Sequence, residues 1–256
     1  MRAPARLASV PASPRLGRRR REGKVELWTE AVGSLPPVYG ERWSEFGDRL
    51  YRAFDPYRSK LAAALVHDWE GRLPTLGERW LYLGAASGTT ASHVADLLGP
   101  DGRLYALERS LRPFARLLDL SGRWPNLLPI LADARDPARV SGLVPPVDGL
   151  YMDIAQPDQL AIARENAAWF LRGAGSACLI ALKTASLGRE LAPAQHLARA
   201  EQTVSAWLDL ETSVKLDPFH RAHYLLGGQV RPALFGSPPS SATTRPAVRF
   251  RGRPRR

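Results

Sequence analysis

The chain has 256 residues, 45% of them hydrophobic, a formal net charge of +11 and a single cysteine. This length and apolar content suit one large α/β domain with a small appendage, and one cysteine excludes an internal disulfide. No apolar run reaches the ~20 residues of a membrane span, and the N-terminus lacks a secretory signal. We therefore expect a cytoplasmic protein with no membrane contact.

The positive charge is concentrated at the two ends of the chain. Residues 1–24 hold eight Lys or Arg and one Glu, and residues 231–256 hold seven Arg and no acid. Because arginine-rich ends with Pro and Ser cannot build a core, we predict disordered basic tails over residues 1–24 and 233–256. Such tails can gather along RNA phosphates, or they can simply keep the protein in solution.

Between the tails, the pattern predicts a small β lobe over residues 25–58 and a larger domain over residues 59–232. The lobe is short, aromatic and turn-rich, and Ser59 is a suitable N-cap for a helix that begins at Lys60. Strands and helices then alternate, and two strands near 211–216 and 223–230 end the domain. This order predicts an α/β fold with a Rossmann-like sheet whose last strand is antiparallel. Predicted strands lie near 80–83, 103–107, 127–131, 149–152 and 177–182, with helices near 89–98, 111–119, 158–171 and 189–208.

The most informative stretch, residues 81–90, reads Leu-Tyr-Leu-Gly-Ala-Ala-Ser-Gly-Thr-Thr. A buried strand would end at Gly84, and the small residues after it would let the backbone approach a ligand. The next strand ends in Glu108, where a Rossmann-like unit holds ribose hydroxyls. Ala86 stands where the dinucleotide fingerprint needs a glycine, so a cofactor without phosphates, S-adenosylmethionine, fits better. Small residues also mark tight turns that bind nothing.

Polar residues follow the later strands of the predicted sheet as well. They are Asp133 after the third strand, Asp153 after the fourth and Lys183 after the fifth. Taken singly, such an aspartate often caps a turn and such a lysine is usually solvated. Ligands of open α/β sheets lie outside the carboxyl ends of the strands, so together these residues predict a site.

Several specific motifs occur in order along the chain: Val38-Tyr39-Gly40-Glu41, residues 51–64, the 83–90 loop with Ser92-His93-Val94, Asp133-Ala134-Arg135, and residues 153–159. Over residues 25–232 this set resembles the fibrillarin family. The resemblance implies a compact, archaeal-type RNA 2′-O-methyltransferase that uses S-adenosylmethionine on rRNA or tRNA. It further implies that a box C/D guide RNA selects the target and that a Nop-type scaffold protein holds the enzyme.

The resemblance also assigns residues to roles. The catalytic set falls on Lys60, Asp153, Lys183 and His223, and no metal site is predicted. Ala222 stands before His223 where the family usually has an acid, and Arg109 stands where an aromatic or small residue is common. The cofactor is assigned to Gly84, Ala85, Thr89, Thr90, Glu108, Arg109, Asp133, Ala134, Asp153, Ile154, Ala155 and Gln156.

Methyl transfer to a ribose needs an in-line approach and the removal of one weakly acidic proton. Lys183 could act as the base or as the cation that favours the alkoxide, with Asp153 orienting it. Lys60 could bind a flanking phosphate, and His223 could relay the proton or anchor the backbone. Two other functions stay open: a structural RNP subunit without turnover, and a methyltransferase for a protein side chain or small molecule.

Overall fold

The chain builds two β-sheets, and the computed structural model describes residues 7–11, 13–188 and 190–235. The first sheet is antiparallel and has five strands in the order β1-β2-β3-β5-β4. This sheet forms the predicted small lobe. Its strands are β1 (Ala8–Val10), β2 (Ser13–Arg21), β3 (Lys24–Glu30), β4 (Trp43–Phe46) and β5 (Arg49–Ala53).

The second sheet has seven strands in the order β11-β12-β10-β9-β6-β7-β8. The strands from β10 to β8 run parallel, whereas β12 is antiparallel to both β10 and β11, which confirms the predicted fold class. The strands are β6 (Arg79–Leu83), β7 (Arg103–Glu108), β8 (Leu127–Leu131), β9 (Gly149–Met152), β10 (Ala177–Lys183), β11 (Leu208–Lys215) and β12 (His223–Val230). The helices are α1 (Lys60–Val66), α2 (Thr89–Leu98), α3 (Leu111–Ser121), α4 (Gln159–Phe170) and α5 (Pro193–Val204).

Strand β10 shows why both faces of this sheet are covered. Its residues 177–182 are all buried, because successive side chains point to opposite faces and each face carries helices. Leu179 belongs to the core with α1, α2, α3 and the small lobe, and Ile180 belongs to the core with α4 and α5. Among the described residues, no helix is long and apolar enough to cross a membrane.

The prediction of a disordered segment over residues 1–24 is wrong for β1 and β2. Leu16 is fully buried, and the arginines around it have partners from distant parts of the chain. Arg15 binds Glu30 at 3.0 Å and the Asp96 carbonyl oxygen at 2.7 Å, and Arg18 binds Asp68 at 2.6 Å. These cations therefore stabilise the lobe, and its sheet begins 17 residues before the predicted boundary of 25.

At the other end, the described chain continues past the predicted domain boundary of residue 232. Leu234 lies in a short 3₁₀ turn and is buried against the second core. The rest of the predicted C-terminal tail, residues 236–256, lies outside the described residues. Helix α5 is also shorter than the predicted 189–208, because Pro193 begins it and Leu208 already belongs to β11.

A buried polar network joins the two sheets. The Arg52 guanidinium is fully buried and binds Glu41 and Asp96 at 2.8 Å each, and it donates to Ser92 Oγ at 3.1 Å. Arg52 lies on β5 and Asp96 lies on α2, so this network connects the lobe to the helix that follows the Gly84 loop. The Asp96 carboxylate also accepts from Thr29 Oγ1, Val32 N and Trp124 Nε1. Every lone pair of that carboxylate thus faces a donor.

His93 extends the network from α2. Its Nδ1 lies 2.7 Å from Thr29 Oγ1 and its Nε2 lies 2.8 Å from the Tyr39 hydroxyl, while its ring stacks on Phe54 with centroids 4.2 Å apart. Complete burial lowers the pKa of His93 well below 6.5, and the charge of Arg52 acts in the same direction. The folded protein therefore holds this imidazole neutral.

Replacing Arg52 by Met should lower the free energy of unfolding by about 3–5 kcal/mol, because two buried carboxylates lose their counter-ion. Urea denaturation of the wild type and the variant measures the change. Arg49→Met is the matched control, since Arg49 lies on the same strand and its side chain is 59% exposed in its pair with Glu30. The control should leave stability nearly unchanged. Equal effects of the two substitutions would contradict the importance of the network.

Stability should also fall on mild acidification because of His93. In the unfolded chain His93 binds a proton near pH 6.5, whereas the folded imidazole stays neutral at that pH. Unfolding therefore becomes easier as the pH drops below 6.5. Below pH 6.5, His93 should lower the free energy of unfolding by about 1.4 kcal/mol per pH unit. Urea midpoints of wild type and His93→Gln between pH 7.5 and 5.5 measure it, and the variant should have a shallower acid slope by about one proton. Parallel slopes would show that His93 does not titrate on unfolding.

Candidate active site

The parallel strands bring three predicted site residues to one edge of the sheet. Leu83 pairs in register with Leu107 on β7 and with Met152 on β9. The residues that follow these three positions are Gly84, Glu108 and Asp153, so they share one level at the carboxyl ends of the strands. This edge is the position at which open α/β sheets bind ligands.

Gly84 is required by the backbone at this edge. Its φ is +79°, and a Cβ there would lie 2.8 Å from the Asp153 carbonyl oxygen. The N–H groups of Gly84 and Ala85 both donate to the Leu107 carbonyl, at 2.9 and 3.0 Å. The loop therefore folds tightly over the strand ends, and only a glycine fits at its first position.

A cleft of about 190 Å³ opens between this loop and the neighbouring strand ends. Eight of the predicted cofactor residues line it: Gly84, Glu108, Arg109, Asp133, Ala134, Asp153, Ile154 and Gln156. Sequence reasoning missed five further lining residues, Ala86, Leu107, Ala132, Arg135 and Ile162. The apolar ones lie at strand ends or on α4, and nothing in the local sequence separates them from ordinary core residues.

Four predicted cofactor residues do not line the cleft. Ala85 is buried in the core, and Thr90 is buried with its side chain directed to Tyr82. Thr89 is half-buried as the first residue of α2, and Ala155 is exposed. Their assigned cofactor contacts stay predictions.

Glu108 is oriented by its own backbone surroundings. Its carboxylate accepts from Ala86 N at 3.0 Å and from Ser110 N at 2.7 Å, and the residue is 8% exposed. Each oxygen keeps a second lone pair, which suits it to receive the two hydroxyls of a ribose. With a tight glycine loop on one side and the apolar Leu107 and Ile154 on others, the cleft fits an adenosyl group without phosphates.

The outer rim of the cleft carries charges that neutralise one another. Arg109 lies 3.5 Å from Asp133, and Arg135 binds Asp158 at 2.7 Å. Arg135 also approaches Asp133 at 3.9 Å. These arginines are therefore already occupied by carboxylates.

The predicted catalytic residue Lys60 meets Asp153 directly. Lys60 begins α1, whose N-cap Ser59 accepts a hydrogen bond from Ala62 N, as predicted. Its Nζ lies 2.8 Å from one oxygen of Asp153 and 3.0 Å from the other, with both side chains about one-fifth exposed. Asp153 thus belongs both to the cleft wall and to an ion pair at its mouth.

The expected pairing of Asp153 with Lys183 is wrong in this structure, where the cation bound to Asp153 is Lys60. Lys183 has no carboxylate within 4.0 Å among the described residues, and its main chain is held on both sides by the Gln159 amide. Lys183 instead lies opposite His223 in the antiparallel register of β10 and β12. The topology therefore places all four predicted catalytic residues at one edge of the sheet.

His223 is prepared as a neutral base. Its Nδ1–H donates to the Arg221 carbonyl at 2.8 Å, which leaves the lone pair on Nε2. Burial lowers the pKa of His223 below 6.5, an effect that outweighs the bond to Arg221, and the nearby charge of Lys60 lowers it further.

A second histidine, His220, lies beside this set and was missed by sequence reasoning. Its Nε2–H donates to the Pro56 carbonyl at 2.9 Å, and its ring centroid lies 6.0 Å from that of His223. It ties the β11–β12 loop to the segment that leads into Lys60. Its spacing of three residues from His223 was visible in the sequence, but its distant partner was not.

Substituting Gly84 by Ala should weaken S-adenosylmethionine binding by about 10-fold or more, because the added methyl strains a positive φ and displaces the Asp153 backbone. Isothermal titration of the folded variant with S-adenosylmethionine measures the loss. Gly77→Ala is the matched control, since Gly77 has a φ of +76° but open space around it. If both variants bind the cofactor alike, the close approach at Gly84 does not shape the cleft.

Comparisons with known proteins agree with this geometry. The sequence matches the family described as Fibrillarin over residues 18–232. It is 41% identical over 211 residues to a fibrillarin-like rRNA/tRNA 2′-O-methyltransferase of Aeropyrum pernix, covering 82% of this chain and 90% of that protein.

Solved structures give the same result. Fibrillarin of Aeropyrum pernix with natively bound S-adenosyl-L-methionine superposes with a TM-score of 0.79 at 39% identity, covering 88% of this chain and 98% of that one. A fibrillarin/Nop5p complex matches with a TM-score of 0.73 at 36% identity, covering 80% of this chain and 94% of that one. The cleft, the Lys60–Asp153 pair and these similarities together show that the chain belongs to the fibrillarin family.

Proposed function

We propose that this protein transfers a methyl group from S-adenosylmethionine to a ribose 2′-hydroxyl of RNA, with rRNA or tRNA as substrate. The observation that carries the proposal is the double position of Asp153. Its side chain lines the cofactor cleft and also binds Lys60 at the mouth of that cleft. A group that touches both the methyl donor and a catalytic cation must lie where the acceptor arrives.

The relatives support the substrate class. A fibrillarin-like relative is named an rRNA/tRNA 2′-O-methyltransferase, and another solved fibrillarin was found with Nop5p. We therefore infer that a Nop-type scaffold and a box C/D guide RNA bring the target to this enzyme. The single cysteine, Cys178, is free and buried, which suits the reducing cytoplasm.

In the proposed mechanism, Glu108 holds the ribose of the cofactor while Gly84 lets the backbone approach it. The bound cofactor supplies a methyl group on a positively charged sulfur. Alignment of that methyl with the incoming hydroxyl is the main contribution of the protein, since the reaction is an in-line displacement.

The remaining residues handle the proton and the developing negative charge. Neutral His223 can accept the hydroxyl proton at Nε2, because its other nitrogen is fixed by the Arg221 carbonyl. Lys183 is free of carboxylates among the described residues, so its ammonium can stabilise the alkoxide. Asp153 fixes Lys60 with both oxygens, which leaves Lys60 to orient the acceptor and its neighbouring phosphate.

Tracing a labelled methyl group tests the reaction class. Purified protein is incubated with methyl-labelled S-adenosylmethionine, scaffold protein, guide RNA and target RNA, and the label is then located. We expect alkali-resistant dinucleotides, which mark a 2′-O-methyl ribose. Label in protein or in a small molecule would support a methyltransferase for a protein side chain or small molecule. No transfer of label would support a structural RNP subunit without turnover.

Replacing Lys183 by Ala should lower the methyl-transfer rate about 10²–10⁴-fold, while S-adenosylmethionine binding stays measurable, because Lys183 acts on the acceptor and lies outside the cleft lining. Single-turnover rates and cofactor titrations measure the two effects. Lys215→Ala is the matched control, since that lysine is 61% exposed on β11, which β12 separates from β10. Full turnover by Lys183→Ala would refute the assignment.

A further inference from the structure

A second, larger cavity of about 430 Å³ lies on the small lobe beside the entrance to α1. Tyr39, Arg42 and Phe54 form one part of its wall, and Asp55, Pro56 and Arg58 form the part that leads to the catalytic Lys60. The fibrillarin cleft described above does not include any of these residues. We call this cavity with the adjoining side chain of Tyr57 the flank surface.

The aromatic wall of the flank surface is rigid. The Tyr39 hydroxyl lies 3.0 Å from the Ala53 carbonyl oxygen and 2.8 Å from His93 Nε2, so the buried network fixes the ring. The Arg58 guanidinium lies over that ring, 5.7 Å from its centroid. Arg58 thus packs against a π face, and within the described part of the chain no hydrogen bond uses its guanidinium donors.

Tyr57 is 64% exposed. Its ring packs edge-on against Phe219 with centroids 4.9 Å apart, and its N–H donates to Asp55 Oδ1 at 2.8 Å. A ring supported in this way and open to solvent is a platform on which a nucleic-acid base can stack.

The charges around the two openings decide which one attracts phosphate. At the cofactor cleft, Arg109 and Arg135 are paired with Asp133 and Asp158. On the flank surface, Arg58 has no carboxylate within 4.0 Å among the described residues. Arg221, whose carbonyl oxygen accepts from His223, also has no carboxylate within 4.0 Å among them.

The acids that line the flank surface are each engaged within the protein. Glu26 binds Arg42 at 2.9 Å, Glu41 binds Arg52, and Asp55 holds the Tyr57 N–H. None of them lies within 4.0 Å of the Arg58 guanidinium, so the guanidinium can bind an approaching phosphate.

We infer that the flank surface binds the RNA strand next to the target nucleotide, with Arg58 on a backbone phosphate and Tyr57 stacked on a flanking base. This inference rests on the proposed function, because it assumes an RNA acceptor at Lys60. The inference gives the small lobe a role in positioning the substrate, because Tyr57 and Arg58 lie in the segment that joins the lobe to Lys60.

The test measures single-turnover methyl transfer in the particle reconstituted from this chain, a Nop-type scaffold protein, guide RNA and complementary target RNA. Arg58→Ala should lower the rate about 10-fold at moderate salt, since one charged phosphate contact is lost. The slope of log rate against log salt should become shallower by about 1. Cofactor affinity should stay unchanged.

The controls are chosen to separate charge and stacking from folding. Arg199→Ala removes an exposed arginine on α5 and should leave rate and salt slope unchanged. Tyr57→Ala should lower the rate about 10-fold, whereas Tyr57→Phe keeps the ring and should stay within about 2-fold of the wild type.

Three outcomes would overturn the inference. Arg58→Ala could match Arg199→Ala in rate and salt slope, which would show that no phosphate is bound there. Arg58→Ala could instead remove the chain from the particle on gel filtration, which would make the flank surface a protein-docking surface. If the wild-type particle methylates no RNA, the proposed function fails first and the inference fails with it.

Discussion

The ion pair between Arg52 and Asp96 is the interaction on which the rest of the structure depends. A buried ion pair costs free energy of desolvation and is tolerated only when every donor and acceptor finds a partner. Here Asp96 receives Arg52, Thr29, Val32 N and Trp124, while Arg52 also reaches Glu41. Because all these groups must be in place together, the pair fixes a single orientation of the small lobe on the large sheet.

That orientation matters for the chemistry because the lobe packs against α1, and α1 carries one of the two catalytic partners. Lys60 follows the lobe directly and begins α1, whereas Asp153 follows β9 of the large sheet. Their contact at 2.8 Å requires the lobe to sit where Arg52 holds it. The lobe thus acts at a distance from the cleft, by helping to place Lys60 against Asp153, one of the carboxylates that line the cleft.

The motifs that resemble the fibrillarin family have two physical origins. Gly84, Asp133 and Asp153 lie at the cleft, where chemistry demands them. Tyr39, Glu41 and His93 lie in or beside the buried network and hold the lobe. A family motif therefore need not touch a ligand.

Local sequence was sufficient for the large sheet. Short apolar runs, helix caps and glycine loops are short-range properties, so the strands near 80–83, 149–152 and 177–182 were found within one residue or so. The residues after these strands could be named as a site because parallel strands bring their carboxyl ends together whatever the rest of the chain does.

Tertiary structure decided which groups meet. The arginines of β2 look like a solvated tail, and only the fold supplies Glu30 and Asp68 as their partners. Asp153 pairs with Lys60 rather than Lys183 because α1 places the first lysine over the strand end. His220 meets Pro56 across 164 positions of sequence. Such contacts depend on the packing of one sheet against the other, and no local pattern records it.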